Sequence, residues 1–424
     1  ARHIAAMTDF DFDLFVIGAG SAGLTAAKRA AALGGKVALV ESRQLGGTCV
    51  NRGCVPKKLL SYAAAFRHEF QLAASYGISC STPILDWPTL RGAIDAELER
   101  LGRFYQSSLE EAGVETIRGQ ASFDSQGRVV VGTRLLEASH VCIAVGGVPH
   151  RPRFEGAEEA FLSDDIFRLD RLPRRWVVQG SGYIGVEMAS ILRGLGCQVS
   201  LIFRSREPLP QFDHDLGRAL AVEMSNRGVD VRPECDIQSY RGGTVQTSNG
   251  SIDCDALLCA VGRRGNFQGL GLESAGVALD DKGLIRVDSR FQTSARGVYA
   301  VGDCIGNPGP RQGHLALMQA TVAAEHVAWS RLRVLLLRGP HGRRDQAGCT
   351  QQQNREDKGK CLHARQHKAA VGRRRCDSWG ASRAPILGAD CIPTGPRRFG
   401  AEPTVSGETP SSPPRWPPPP SCRR

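Results

Sequence analysis

Apolar residues along this chain fall into short continuous runs separated by longer amphipathic stretches, and one arrangement of them occurs twice. Leu14 to Ile17 (LFVI) is an unbroken apolar run, which predicts a strand buried on both faces. A glycine-rich turn from Gly18 to Gly23 follows, then an alanine-rich stretch with helical spacing, Leu24 to Leu33, then a second strand-like run, Lys36 to Val40. The same order returns at Trp176 to Gln179, Gly180 to Gly185, Val186 to Leu195 and Gln198 to Phe203. Between the two units, Leu90 to Ala112 is spaced as a surface helix with Glu97, Glu99, Arg100 and Arg103 on its polar side. Val141 to Gly147 predicts a buried strand ending in glycines, and 157–175 turns polar and loop-like. Strand, turn, helix and strand in this order predict an α/β chain.

The turns give the repeated units a chemistry. In the first, Gly18 permits a tight turn, Gly20 lets backbone approach a pyrophosphate and Gly23 lets the helix pack on the strand, while the helix N-terminus offers unpaired N–H groups to phosphate. Glu41 ends the second strand 18 residues after Gly23, where an acid accepts hydrogen bonds from ribose hydroxyls. The second turn is Gly180-Ser181-Gly182-Tyr183-Ile184-Gly185, so the chain predicts two Rossmann-like domains and two different dinucleotides. Its second strand ends in Phe203-Arg204-Ser205-Arg206 instead of an acid. A carboxylate there would favour the 2'-hydroxyl of NAD, whereas Arg204 and Arg206 can pair with a 2'-phosphate, which favours NADP(H). The same two arginines would also suit an ordinary solvated surface.

Composition changes the picture mainly at one end. The 424 residues carry a formal charge of +11, but 331–424 hold 19 of the 54 Lys and Arg and 7 of the 43 Asp and Glu, so the body before them is close to neutral. Twelve of the 23 prolines also fall in that tail, which ends PPRWPPPPSCRR. Its arginines have almost no interleaved aromatics, so a nucleic-acid-binding arm is not expected. The 14 cysteines repeat no disulfide or zinc spacing. No apolar run approaches 18 residues, and Ala1 to Met7 is too short for a signal peptide. The expectation is a cytoplasmic body without metal, membrane or nucleic-acid partners.

One stretch carries the candidate catalysis: Gly46 to Lys58, GGTCVNRGCVPKK. Cys49 and Cys54 stand five positions apart, close enough to form a small disulfide ring, with Lys57 and Lys58 as neighbouring cations that favour a thiolate. Taken alone, C-x4-C is more often two buried cysteines without chemistry.

With the dinucleotide turn and Glu41 upstream of it, this stretch resembles the pyridine nucleotide-disulfide oxidoreductases, and within them the glutathione reductases, over roughly 10–330. The resemblance implies FAD on the first nucleotide unit and NADP(H) on the second. Cys54 would lie against the flavin, Cys49 would attack the substrate disulfide, Lys57 would sit beside flavin N5 with Glu187 as its partner, and Tyr183 would cover the flavin until nicotinamide displaces it. Ser21, Ala22, Glu41, Thr48, Cys49, Ala121 and Asp303, the last in TSARGVYAVGD, match FAD contacts; Gly262 and Arg263 match NADP positions. Lys28 and Tyr105 match contacts to glutathione disulfide. The Lys57-Lys58 pair departs from dihydrolipoamide dehydrogenases, whose equivalent usually reads PSK. Pro210 replaces a further phosphate-binding arginine and Gly185 an alanine, which leaves room for some use of NADH. The implied organisation is an FAD-binding domain at 10–155 and 288–330, with an NAD(P)-binding domain, 156–287, inserted in it.

Beyond Asp303 the resemblance degrades. The family is homodimeric, and each subunit supplies the other with a histidine base and glutamate in an HPTxxE motif; this sequence contains no such motif and no recognisable dimerisation domain. His314, His326, His341, His363 and His367 lack its flanking residues, and Val322 stands near where a glutathione-binding arginine is expected. The tail at 331–424 reads as disordered, or as an out-of-frame translation. The expected activity is therefore an NADPH-dependent disulfide reductase of glutathione reductase type with impaired glutathione turnover. The alternatives are a truncated or frameshifted product without function, or a reductase of another low-molecular-weight disulfide.

Overall fold

The computed structural model describes residues 10–79, 81, 83–306 and 312–337, with side chains as far as 328. Of the basic tail read at 331–424, the helical backbone to Leu337 is described; the rest, with His341, His363 and His367, lies outside the described residues. All described residues belong to one unit, 1–344.

In the first half, β1 (Leu14–Ile17), α1 (Ser21–Ala32) and β2 (Val37–Glu41) lead into α2 (Gly47–Arg52), α3 (Cys54–Ala73) and α4 (Trp87–Glu111). Strand β3 (Glu115–Arg118) follows, then an antiparallel meander of β4 (Ala121–Phe123), β5 (Val129–Val131) and β6 (Arg134–Leu136), then β7 (Val141–Ile143) and β8 (Gly147–Pro149). The expected surface helix is α4, started by Asp86, whose carboxylate accepts from the Thr89 N–H at 3.3 Å.

In the second half, β9 (Phe161–Leu162) precedes β10 (Arg175–Gln179), α5 (Tyr183–Gly194), β11 (Gln198–Ile202), α6 (His214–Asn226) and β12 (Val229–Arg232). A second antiparallel meander, β13 (Ile237–Arg241), β14 (Thr244–Thr247) and β15 (Gly250–Asp253), leads to β16 (Ala256–Cys259) and β17 (Arg263–Gly265). The chain closes on β18 (Val298–Ala300) and α7 (Gly313–Leu337).

Two five-stranded parallel sheets organise these elements, in the orders β18-β7-β1-β2-β3 and β12-β11-β10-β16-β9. The unbroken apolar runs are their central strands, β1 and β10: every residue of Leu14–Ile17 and of Trp176–Gln179 is buried, as parallel strands covered on both faces require. The first sheet takes its last strand, β18, from far along the chain. Helices α1 and α7 pack over one face, with Ala26, Ala27, Ala320 and Ala323 in the contact, and small side chains there let the helices approach closely. Antiparallel β8 and β17 pair where the chain passes between the sheets.

Two helices start earlier than their apolar spacing predicts, at Ser21 instead of Leu24 and at Tyr183 instead of Val186. The reason is that the first helical turn is built on the glycine turn itself, with extended Gly20 and Gly182 as N-caps. The segment 157–175 contributes more than a loop: β9 extends the second sheet, and Ile166 and Phe167 are buried. Helix α7 runs past the tail boundary read at 330. Among the described residues no helix is long and apolar enough to cross a membrane.

Candidate active site

The site is assembled by backbone packed against backbone. Gly18 has φ +102°, and a Cβ there would lie 2.6 Å from the Ala144 carbonyl oxygen; a Cβ on Gly23 would lie 1.7 Å from that of Gly18. These contacts bring β1, the turn and α1 to their observed spacing, so neither position admits a side chain. Gly47, at φ +62°, presses against the other side of the same turn, where a Cβ would meet Gly20 Cα at 2.6 Å. The redox segment is thereby seated on the nucleotide turn. Gly53 then breaks the segment in two, ending α2 and beginning α3, so that Cys49 lies inside one short helix and Cys54 opens the next.

The result is a cavity of about 530 Å³ with a nucleotide-like end and a sulfur end. Its wall includes Gly18, Gly20, Ser21, Ala22, Glu41 and Thr48, and also Cys49, Cys54, Lys57, Tyr183, Ile184, Glu187 and Asp303. Glu41 accepts the Ala19 and Arg43 N–H groups, each at 2.7 Å, and its oxygens retain lone pairs for a ribose hydroxyl. Tyr183 stands half-exposed at the start of α5, its phenol pushed up by burial and by the carboxylate of Asp303.

The two sulfurs are in hydrogen-bond contact, both as free thiols. Cys54 is pushed down to about 6, first because Cys49 donates its S–H to it, and further by the α3 N-terminus and by Lys57, against the opposing effect of burial. Cys49 is pushed up, by the same hydrogen bond and by burial. The pair therefore holds one negative charge, on Cys54, and one proton, on Cys49. One turn along α3, Lys57 Nζ donates to Glu187 Oε1 at 2.7 Å, bridging α3 to α5.

Arg263, read from the sequence as an NADP position, is also in this wall; the remaining sequence-derived candidates lie outside it. Gly23 is behind it, in the α1 contact, and Ala121 is buried in β4. Lys28 donates to Ser108 at 2.7 Å on α4, one turn from Tyr105, so these two candidates share one side of the α1 and α4 contact. Gly180, Ser181, Gly182 and Gly185 form the second turn, with the carbonyl of Ser181 accepting from Leu209 at 2.7 Å. A Cβ on Gly185 would lie 2.1 Å from the Gly180 carbonyl oxygen, so the alanine common elsewhere cannot be placed here without moving α5. Arg204 and Arg206 are exposed past the end of β11, with Arg206 3.6 Å from Glu234, and Gly262 has φ +127° ahead of β17.

Sequence reasoning passed over Arg52 and Asp164 and set His314 aside for want of the motif's flanking residues; all three are in the cavity wall. Arg52 was visible as a lone charge between the two cysteines; Asp164 and His314 had no local signal.

These geometric findings agree with comparison to known proteins. Residues 12–326 match the family model described as pyridine nucleotide-disulphide oxidoreductase, and the chain belongs to that family. Within it, the similarity is to glutathione reductases. The chain is 43% identical over 311 residues to the glutathione reductase of Nostoc sp. (strain PCC 7120 / SAG 25.82 / UTEX 2576), covering 69% of this chain and 68% of that protein. It is 43% identical over 302 residues to the glutathione reductase of Burkholderia cepacia, covering 70% of this chain and 67% of that one. The family's cofactors are FAD and NADPH. The residues present fit FAD: a glycine turn bare of side chains at an α1 N-terminus, a carboxylate at the end of β2, and a sulfur pair in the same cavity.

Proposed function

We propose that this chain is an NADPH-dependent, FAD-containing disulfide reductase acting on glutathione disulfide. The observation that carries the reading is the contact between Cys49 and Cys54 inside the cavity that also holds the first nucleotide turn, Lys57 and Asp303. The FAD-binding domain is assigned to 10–155 and 288–330, the NADP(H)-binding domain to 156–287 and the location to the cytoplasm. FAD, when bound, supplies the two-electron relay between reduced nicotinamide and the sulfur pair.

Opening a Cys49–Cys54 disulfide takes two electrons and one proton, leaving a thiol on Cys49 and a thiolate on Cys54. Cys54 is then the internal base: the proton it draws from Cys49 leaves the thiolate that attacks one sulfur of glutathione disulfide and expels glutathione thiolate. Once that proton has passed from Cys54 to the departing glutathione thiolate, Cys54 attacks the resulting mixed disulfide as thiolate, expelling the second glutathione as thiolate and closing the bridge. Lys57, held by Glu187, places a fixed cation beside the reacting groups, and Tyr183 forms a movable wall at the nicotinamide side. Lys28 and Tyr105 are assigned to glutathione disulfide, and Arg204 and Arg206 to the 2'-phosphate. The second leaving thiolate needs a further proton, and the HPTxxE pair that would supply it is not in this sequence.

Two assays on purified protein test the proposal. NADPH oxidation coupled to an artificial electron acceptor should proceed, and glutathione disulfide turnover should be detectable but at least about 100-fold slower, the usual range for losing a general acid. Colourless protein that oxidises no NADPH would refute it.

A further inference from the structure

One cation in the cavity wall has no part in the reaction above. Arg52 is the last residue of α2 and only 9% exposed. A guanidinium that deep is ordinarily surrounded by acceptors, because an uncompensated buried charge is costly. This one is not: its buried Nε makes no hydrogen bond, its Nη1 reaches Gln44 at 3.3 Å, and the Asp164 carboxylate stands 3.5 Å from Nε. Asp164 is already engaged by Arg263, at 3.1 Å, and the Arg263 side chain, 10% exposed, has a second bond to the Gly147 carbonyl at 2.6 Å. Two guanidinium groups therefore share one carboxylate. Among the other charges near Arg52, Arg43 and Arg168 oppose its charge and Glu41 favours it. Burial accordingly pushes the Arg52 guanidinium down from its ordinary value. Arg52, Asp164, Arg263, Glu41 and Arg43 all face the one cavity, so a missing anion has a place to enter.

We propose that Arg52 is a cofactor-anchoring residue whose charge is completed by the diphosphate of FAD. The proposal rests on the reading that the cavity holds FAD. Guanidinium groups pair with phosphate through two parallel hydrogen bonds, and a pair formed away from water is stronger than one at the surface. In the FAD-free protein Arg52 competes with Arg263 for Asp164, so removing Arg52 leaves that carboxylate to Arg263. Its loss should weaken FAD binding without weakening the FAD-free fold. An arginine kept for structural pairing predicts the reverse.

The test uses the full chain stripped of flavin, as wild type, Arg52→Met, Arg52→Lys and Asp164→Asn. FAD affinity is read by quenching of flavin fluorescence, NADP+ affinity by titration, and thermal midpoints with and without FAD. Arg52→Met is expected to raise the FAD Kd tenfold or more, leave the FAD-free midpoint unchanged or higher, and leave the NADP+ Kd unchanged. Arg52→Lys should recover part of the affinity. Asp164→Asn, which leaves two cations facing each other, should lower the FAD-free midpoint and gain more from FAD than wild type does. An Arg52→Met protein with a lowered FAD-free midpoint and an FAD Kd within twofold of wild type would overturn the proposal. So would a loss confined to NADP+, which would assign the anion to the nicotinamide nucleotide. Wild-type protein that takes up no FAD would overturn the cavity reading itself, and the proposal with it.

Discussion

Cys54 keeps a negative charge because three favourable effects outweigh its burial: the thiol of Cys49, the amide end of α3 and the ammonium of Lys57. A shift from an ordinary thiol value of about 8.5 to about 6 leaves the thiolate dominant at neutral pH. The consequence is reactivity, because the lowered Cys54 supplies a thiolate at neutral pH. Ultraviolet thiolate absorbance of the reduced protein, taken as the difference from Cys54→Ser, should rise with a midpoint near pH 6. A midpoint between 8 and 9 would mean that Cys49 does not donate. Glu187→Gln should leave Lys57 charged but loosely held, slowing NADPH-dependent reduction of the pair by about 10- to 100-fold in stopped-flow traces, the scale of a misplaced catalytic group. An unchanged rate would remove Glu187 from the mechanism. At this scale the sequence was legible where residues are neighbours: the Cys49 and Cys54 spacing and Lys57 could be read directly. Glu187 needed a family resemblance, since its bond to Lys57 spans two helices. Arg52 and Asp164 stayed hidden because their shared charge exists only once α2 and the segment after β9 are folded together.

The elements owe their placement to glycines at which backbone meets backbone. Helix α5 carries Glu187 and α3 carries Lys57, and they touch at Gly194, where a Cβ would lie 2.7 Å from the Ala64 Cβ. Gly194→Leu should push the helices apart, lowering thermal stability by about 1–3 kcal/mol, as over-packing does, and weakening the bond from Lys57 to Glu187. Stability unchanged from wild type would show that the contact is not close. Gly23→Ala should be more severe, because the group it would strike, the Gly18 carbonyl, is part of the turn that receives phosphate; FAD uptake and thermal midpoint should fall together. Apolar runs predicted β1, β2, β7, β10 and β11, since burial on both faces leaves a continuous pattern. Helix starts were misplaced by three residues because the turns Gly18 to Gly23 and Gly180 to Gly185 supply first turns that have no apolar face to detect. The short strands β8, β9 and β17 were missed, being too brief for any period to show.

At the scale of the molecule, two parallel sheets present their glycine turns so that Tyr183 and Glu187 of the second unit share a cavity wall with Cys54 and Lys57 of the first. In the function proposed above, this shared wall is where electrons from nicotinamide would reach sulfur. The repeat was legible because two copies of one pattern are hard to produce by chance; the return of the chain through β18 was legible only through the TSARGVYAVGD resemblance, as three residues of strand carry no topology. The oxidative half is where the sequence and the family part, at the missing HPTxxE motif. The central claim is that NADPH electrons reach one particular pair of sulfurs. Differential alkylation with mass spectrometry, on oxygen-free protein before and after one equivalent of NADPH, measures this directly. The account predicts that Cys49 and Cys54 are joined before addition and both alkylated after it, with Cys142, Cys197, Cys235, Cys254, Cys259 and Cys304 unchanged. Cys49 and Cys54 labelled equally in both samples would contradict it.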